Sequence, residues 1–419
     1  MMIAFPLVGI AQETDALSLN VAIEQAIFND DWLIASQYRE SALREEAVYS
    51  GQLPDPMMMV SLMNLPVNSL SFDQEPMTQF KVGVTQSFPR GDSLALSQQQ
   101  KIEQSEVNPF LRDERVASVT LRVTQLWLDS YLAQESIDLI NNDRSLFEQL
   151  VEITDSRYRN AAGTARQQDV LRAEVELTRL DDRLTTLQQK LENSRQQLAQ
   201  WIPYELVLLE ISSELPEFEL PDTAGTAIPD LVSAADVFSE HPQVKVLDKQ
   251  IDASETGVEL AKQSYKPGFS VGASYGYRDN GPMGIQRDDF VSLDVSFDLP
   301  LFTEKRQRPR VEAANYQTSA IKTERILVFK NLFASYQQAM ALLSVLEDRE
   351  ALFNNTLLAQ IAELTESTLA AYTADEGDFE EVMRAYIAEL NAKIEVLGIE
   401  IERQKILAQI NYLLTNSAN

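Results

Sequence analysis

Phe269-Ser270-Val271-Gly272-Ala273-Ser274-Tyr275-Gly276-Tyr277 alternates between apolar side chains and small or polar ones without a slip. A little further on, Val291, Leu293, Val295, Phe297 and Leu299 alternate in the same way with Ser292, Asp294, Ser296 and Asp298. A period of two marks a strand with one apolar face. Each run has about nine to eleven residues, the length a tilted strand needs to cross a bilayer. A half-buried sheet in a soluble protein alternates too, so the period alone leaves both readings open. Aromatic residues near the run ends (Phe269, Tyr277, Phe290 and Phe302) favour the bilayer, because interfacial girdles are aromatic.

The same device stands earlier in the chain. Phe80, Val82, Val84, Gln86 and Phe88 alternate with Lys81, Gly83, Thr85 and Ser87, and Met57 to Leu65 is the candidate partner strand across a polar loop. Phe88-Pro89 closes the first run as Leu299-Pro300 closes the second, an offset of 300 − 89 = 211 residues. Asp169-Val170-Leu171-Arg172-Ala173 and Glu381-Val382-Met383-Arg384-Ala385 repeat it at 381 − 169 = 212. Two anchors that far apart imply tandem copies of one unit. The copies set the expected organisation: a first repeat over 13–202, a linker over 203–229 rich in Pro, Glu and Leu, and a second repeat over 230–419.

Around each strand pair the period changes to that of helices. Leu19 to Ser50 carries a broad apolar stripe and ends at Gly51 to Pro56. Leu94 to Asn160 and Glu304 to Tyr372 hold only Pro109 and Pro309 as breakers. Sixty-odd residues of helix make a rod of roughly 100 Å. Such a rod needs partner helices, so a coiled-coil bundle is expected. Each rod ends in a polar, glycine-bearing tip, and a second helix returns over Arg166–Trp201 and Phe379–Leu414.

Composition narrows the function. A formal charge of −29 repels phosphate backbones, which argues against nucleic acid and suits cationic cargo, a basic partner or simply an acidic surface. The absence of cysteine removes thiolate chemistry, and the single histidine, His241, leaves no zinc set or imidazole pair. His241-Pro242 sits where a helix would start. No glycine-rich phosphate loop or nucleophile motif is present, so neither catalysis nor a cofactor is expected. Residues 1–12 read as the remnant of a secretory signal. No stretch has the roughly 20 apolar residues of a spanning helix. Any crossing must be by strands, and four strands per chain cannot close a barrel, so the chain is expected to oligomerise. Asp294 and Asp298 would then face the watery lumen. Met57, Met59 and Met63 would share that side if Met58, Val60 and Leu62 face lipid. Their thioethers suit Cu(I), or serve as flexible apolar filler.

From Leu19 onward the chain resembles the TolC family of outer-membrane efflux proteins, most closely its heavy-metal branch. The resemblance rests on the tandem halves and on Gln52-Leu53-Pro54-Asp55-Pro56-Met57, Gln86-Ser87-Phe88-Pro89, His241-Pro242 and the tips Gly163–Ala173 and Tyr372–Ala385. It implies a homotrimer: a β-barrel in the outer-membrane lipid with four strands per chain, continued by a coiled-coil α-helical tunnel across the periplasm. It also implies a passive exit duct, for metal cations, drugs or polypeptides, served by a periplasmic adaptor and an inner-membrane pump of the RND type. With no cysteine to acylate, the barrel alone is expected to anchor it. The family's acidic gate positions fall on Glu381 and Arg384, the second a departure, with Tyr372 as the gate aromatic and Asp375 where a tip glycine is usual. Glu381 and Arg384 would equally make a solvated i,i+3 pair. Adaptor docking is implied for Gly163, Thr164, Asp169, Val170 and Leu171 and for Gly377, Val382 and Met383; Leu171 and Met383 would equally serve hairpin packing. A structural coiled-coil scaffold would explain the rods but gives the strands no purpose.

Overall fold

The computed structural model describes residues 16–159, 167–221, 231–374 and 376–415. The signal remnant, Gly163, Thr164 and Asp375 lie outside them. In chain order, β1 (Ala16–Leu17) leads to α1 (Leu19–Phe28) and α2 (Asp31–Ser50), then to β2 (Met57–Met63) and β3 (Gln79–Phe88). Next come α3 (Ser93–Ser105), α4 (Val107–Arg159), α5 (Gln167–Leu198), the short α6 (Tyr204–Val207) and β4 (Glu210–Ile211). The second copy holds α7 (Leu231–Phe238), α8 (Pro242–Lys262), β5 (Phe269–Tyr277), β6 (Phe290–Phe297), α9 (Gln307–Leu352), α10 (Leu358–Thr373) and α11 (Phe379–Leu413).

The departures from expectation have local causes. Leu19–Ser50 is two helices because Asn29 ends α1 and the Asp30 carboxylate accepts the Trp32 N–H at 3.0 Å, opening α2. Pro109 and Pro309 follow directly on breaks in the expected rods, at Glu106 between α3 and α4 and ahead of Gln307. Each lies in the first turn of its helix, α4 or α9, where the N–H it lacks would have no intrahelical partner. A π-turn over Phe353–Leu357 separates α9 from α10. Within the linker, Tyr204–Val207 form α6 and Glu210–Ile211 pair parallel to β1.

All four long strands join one antiparallel sheet in the order β2-β3-β5-β6, so the two copies meet at the β3–β5 ladder. The register settles the faces. Val60 opposes Val82, Val82 opposes Tyr275 and Tyr275 opposes Val291, which aligns the alternating apolar residues of β3, β5 and β6 with Met58, Val60 and Leu62 of β2 on one side. That side is bare: Val291, Leu293, Val295 and Phe297 are 75%, 79%, 66% and 63% exposed.

The chain forms two compact units, each drawn from both sequence copies. One holds the described residues of Met1–Leu33, Asp113–Pro242 and Phe329–Asn419; the other holds Ile34–Arg112 and Gln243–Val328, including the sheet. Compactness therefore cuts across the repeat boundaries. In the first unit one core gathers around Trp127, fully buried with Leu126, Leu128, Leu198 and Ile401, and its indole N–H donates to the Leu17 carbonyl at 2.9 Å. The Gln134 amide brackets Ile211 through both backbone groups at 2.9 Å. A second core joins α4, α5, α10 and α11 through Phe147, Leu180, Leu184, Tyr372, Phe379 and Leu390. In the second unit, Arg112 pairs with Glu40 at 2.7 Å and Lys249 with Glu106 at 3.1 Å, tying α4 to α2 and α8 to the end of α3.

Candidate functional site

The hydrophilic face of the sheet is assembled by small residues. Gly83 lies opposite Ser274 and Thr85 opposite Gly272, and a Cβ on Gly272 would meet the Thr85 hydroxyl at 3.0 Å. Asp294 pairs with Gly272 on this face and is exposed. Asp298 has a different situation. It sits past the end of β6, accepts the Gly268 N–H at 2.6 Å and forms an ion pair with Arg90, so it fastens the end of the sheet. Met57, Met59 and Met63 lie on the face of Asp294, opposite Thr85, Gly83 and Gln79, while Met58, Val60 and Leu62 lie on the apolar face. Among the described residues no group of three or more His, Asp or Glu is placed to hold a metal ion.

The tip belongs to the first unit. Tyr372, at the end of α10, is buried and stacks edge-on against Phe379 with ring centroids 5.7 Å apart. Asp378 caps α11 by accepting the Glu380 N–H at 3.3 Å. A Cβ on Gly377 would lie 2.8 Å from the Tyr372 nitrogen, so the close approach of the two backbones explains the glycine. Val382 and Met383 are buried at 0% and 4% and serve the packing of the hairpin. Both line the α11 seam that packs on Tyr372 and Phe379. Asp169 is likewise buried and Val170 half-buried, whereas Leu171 is 54% exposed.

Glu381 and Arg384 are both exposed but do not pair with each other. Arg384 turns to Glu380 at 2.6 Å, the i,i+4 neighbour, and Glu380 also takes Arg172 from α5. Glu381 has no ion pair among the described residues. The doublet read from sequence is therefore a triad, Arg172–Glu380–Arg384, spanning α5 and α11. Its cross-helix member, Arg172, was legible only as part of the repeated tip motif. His241 is structural. It is buried at the start of α8, hydrogen-bonded to the Tyr412 backbone and edge-on to the Tyr412 ring at 5.6 Å. Burial holds its pKa below the ordinary imidazole value, against the opposing pull of that hydrogen bond and of Glu114.

No family model matches the sequence, and no curated protein matches it either. Solved structures do match. CusC, studied for folding and transmembrane channel formation, superposes with a TM-score of 0.74 at 14% identity, over 95% of this chain and 92% of its own. The fold is that of outer-membrane channels. The CmeC outer membrane channel of Campylobacter jejuni gives 0.75 at 11% identity, over 96% and 87%. The outer membrane protein VceC of Vibrio cholerae gives 0.73 at 13%, over 95% and 96%. Among the described residues no helix is long and apolar enough to cross a membrane.

Proposed function

We propose that the chain is the outer-membrane exit duct of a tripartite efflux system, working as a homotrimer and performing no catalysis. The observation that carries this is the sheet: one face is a bare apolar surface broken at Gln86, the other is lined mainly by serine, glycine, threonine and aspartate beside Met57, Met59 and Met63, and both edge strands are open. Open edges in hydrocarbon leave backbone groups unsatisfied, so the edges of β2 and β6 must be closed by other copies. The helices next to those edges support ring closure. Ahead of β2, α2 exposes Ile34, Tyr38 and Tyr49, and after β6, α9 exposes Tyr316 and Leu327. A contact between unlike surfaces of identical chains closes into a ring when the rotation it imposes closes.

Within this reading the tip faces the periplasm and receives the adaptor, with Leu171 as the exposed apolar contact. Glu381 and the Arg172–Glu380–Arg384 triad form the charged ring of the gate, and Tyr372 acts as the packed base beneath it. Cation cargo, metal ions included, suits a lumen bearing Asp294 and a chain of charge −29. Met57, Met59 and Met63 would add thioethers to that lumen. A drug or polypeptide duct would share every other feature, since selectivity mostly resides in the pump.

The test is fractionation. The chain is expected in the outer membrane as a trimer-sized species that falls to monomer on boiling in detergent. Leu293→Lys with Val295→Lys should prevent insertion, because a lysine facing lipid near the midplane costs about 2–4 kcal/mol. Recovery of the unaltered chain as a water-soluble periplasmic monomer would sink the proposal.

A further inference from the structure

In the second unit, α8 is bonded on one flank to α3 and on the other to α9. Lys249 meets Glu106 at 3.1 Å and the Gln100 amide donates to the Ala253 carbonyl at 3.2 Å. Lys322 meets Glu255 at 2.7 Å, and Ser254 shares a hydrogen bond with Thr318 at 2.7 Å. The three helices leave a cavity on each of their two faces, and the two are chemically opposite. One, about 600 Å³, is walled by the amides of Gln100, Gln104, Asn108, Gln250 and Gln317 and by aliphatic side chains, and no lining residue among those described is charged. The other, about 1010 Å³, holds Glu103 and Glu106 from α3 and Asp252, Glu255 and Glu259 from α8, against Lys249 and Lys322. On α8 the two linings interleave, Asp252, Glu255, Thr256 and Glu259 against Gln250, Ala253 and Ser254, as opposite sides of one helix do at 3.6 residues per turn. An acidic surface spread evenly over a chain of net −29 would charge both faces; here the acid is sorted to one.

Most of these carboxylates already have a partner. Glu106 and Asp252 share Lys249, Glu255 holds Lys322, and Glu259 holds Lys262 from outside the lining. Two groups are left over. Glu103 accepts the Gln99 amide on one oxygen at 2.8 Å, while its other oxygen, Oε2, is buried with no hydrogen-bond partner among the described residues. Thr256 is only 8% exposed and lines the same cavity, and its hydroxyl makes no hydrogen bond among the described residues. The hydroxyl of Thr318 on α9, by contrast, closes on the carbonyl four residues back at 3.1 Å. A buried polar atom left unpaired destabilises the fold, so each of these two calls for a ligand. Their spacing follows from the helix contacts. Glu106 faces Lys249 and Gln100 faces Ala253, so Glu103, midway, stands level with residue 251. Thr256 then lies roughly five residues, or about 7 Å of helix, nearer the sheet. At the sheet end the lining turns apolar with Leu96 and Val258.

We propose that this cavity binds amphipathic organic amines, with the protonated amine on Glu103, a polar group about 7 Å away on Thr256 and an apolar body over Leu96 and Val258. The sign of the lining selects a cation. Its chemistry selects an ammonium: the cavity already seats two of its own, Lys249 and Lys322, against its carboxylates. A bare metal ion needs several oxygens converging on one point, and among the described residues no group of three or more His, Asp or Glu is placed to supply them. The apolar end then sets the rest of the ligand apart from a simple polyamine. The inference narrows the cation cargo of the exit duct to one chemical class and rests on that reading for its use in transport. The cavity itself lies within one unit of one chain and stands without it. Weak binding is what such a station permits, since cargo in transit has to leave.

The experiment offers dansylcadaverine to the full-length chain in a non-ionic detergent. This probe carries a primary ammonium on a pentamethylene chain, then a sulfonamide N–H and a fluorescent naphthalene. A counterpart with a hydroxyl in place of the amine reports partition into the micelle. The amine should give a saturable, blue-shifted emission that weakens with salt, and the neutral counterpart should not saturate. Glu103→Gln should weaken binding at least about tenfold, because it removes a charge-assisted hydrogen bond. Thr256→Val, which keeps the side chain's shape, should weaken it about fivefold. Glu45→Gln, which removes the same charge from an exposed position on α2, should leave it unchanged. Equal response to the two probes, or equal loss in Glu103→Gln and Glu45→Gln, would overturn the inference. So would displacement of the dye by a zinc or magnesium salt more readily than by hexylamine at equal ionic strength, which would make the cavity a metal site. The outcome separates from that of fractionation. A chain that fails to reach the outer membrane yet binds the dye as described keeps the amine site and loses the duct; a membrane trimer whose Glu103→Gln variant binds like the parent keeps the duct and loses the site.

Discussion

The returning helices α5 and α11 occupy the same place in the two copies, yet they are used differently. Over 32 residues α5 buries seven, on one seam with steps of three, four and seven; α11 buries fourteen of 35, on more than one side. Duplication supplies the hairpin, and divergence decides which copy is enclosed. The enclosed helix holds the chain's core: Ile401 meets the Trp127 cluster, while Val382, Met383 and Leu390 meet the tip cluster. The other helix keeps one face exposed, and that face carries Arg172, paired with Glu380, and Arg179, paired with Glu176. A protein that needs both a stable wall and an accessible surface gains from two unequal copies.

The largest difference should appear on deleting apolar side chains. Ile401→Ala in α11 removes a fully buried side chain beside Trp127 and should cost about 3 kcal/mol or more. Leu171→Ala in α5, at 54% exposure, should stay within about 0.5 kcal/mol. Denaturant unfolding followed by far-UV circular dichroism measures both. Equal costs would mean that α5 is as enclosed as α11 and that the comparison fails.

A smaller effect comes from His241, which leans on Tyr412 near the end of α11. Its folded pKa lies below its unfolded one, so below about pH 6.5 the unfolded chain binds the extra proton. The stability due to neutral His241 is therefore complete above that pH and drains away as pH falls toward the folded pKa. The slope cannot exceed about 1.4 kcal/mol per pH unit. Glu135 and Glu400 act in the opposite sense. Burial first, then neighbouring carboxylates, raise their pKa values, and stability from them is lost as pH rises through those raised values. The clean measurement is the difference between the chain and His241→Gln over pH 5 to 7.5; a difference independent of pH would show that His241 is not held neutral.

What could be read from sequence divides along the same physical line. Strand faces are a matter of period two, and β3 and β5 have the bounds their alternation predicts. Helix starts were missed where the signal is local: Asn29-Asp30 splits a helix inside an unbroken apolar stripe, and new helices start just ahead of Pro109 and Pro309, which stand in their first turns. The site was harder, because it depends on which helix lies against which. Val382 and Met383 sit in the repeated tip motif beside Glu381, and nothing in the motif says that two are buried and one exposed. The partner of Arg384 is one residue from the one expected, Glu380 in place of Glu381, because a helix brings i and i+4 together as readily as i and i+3.

The smallest expected effect tests whether charge or packing joins the two helices. Arg172 and Glu380 are 51% and 39% exposed, and Glu380 keeps Arg384 at 2.6 Å when Arg172 is removed, so no orphaned carboxylate remains. A double-mutant cycle with Arg172→Ala and Glu380→Ala should therefore give a coupling below about 1 kcal/mol, the range of exposed pairs. At 1 M salt, where the Debye length is about 3 Å, the coupling should fall further. A coupling of about 3 kcal/mol that survives salt would place the pair in a desolvated joint and make the charges the clasp between α5 and α11. The seam of Leu180, Leu184 and Leu187 argues the other way: it holds the helices together along their length by packing, with the charges outside it.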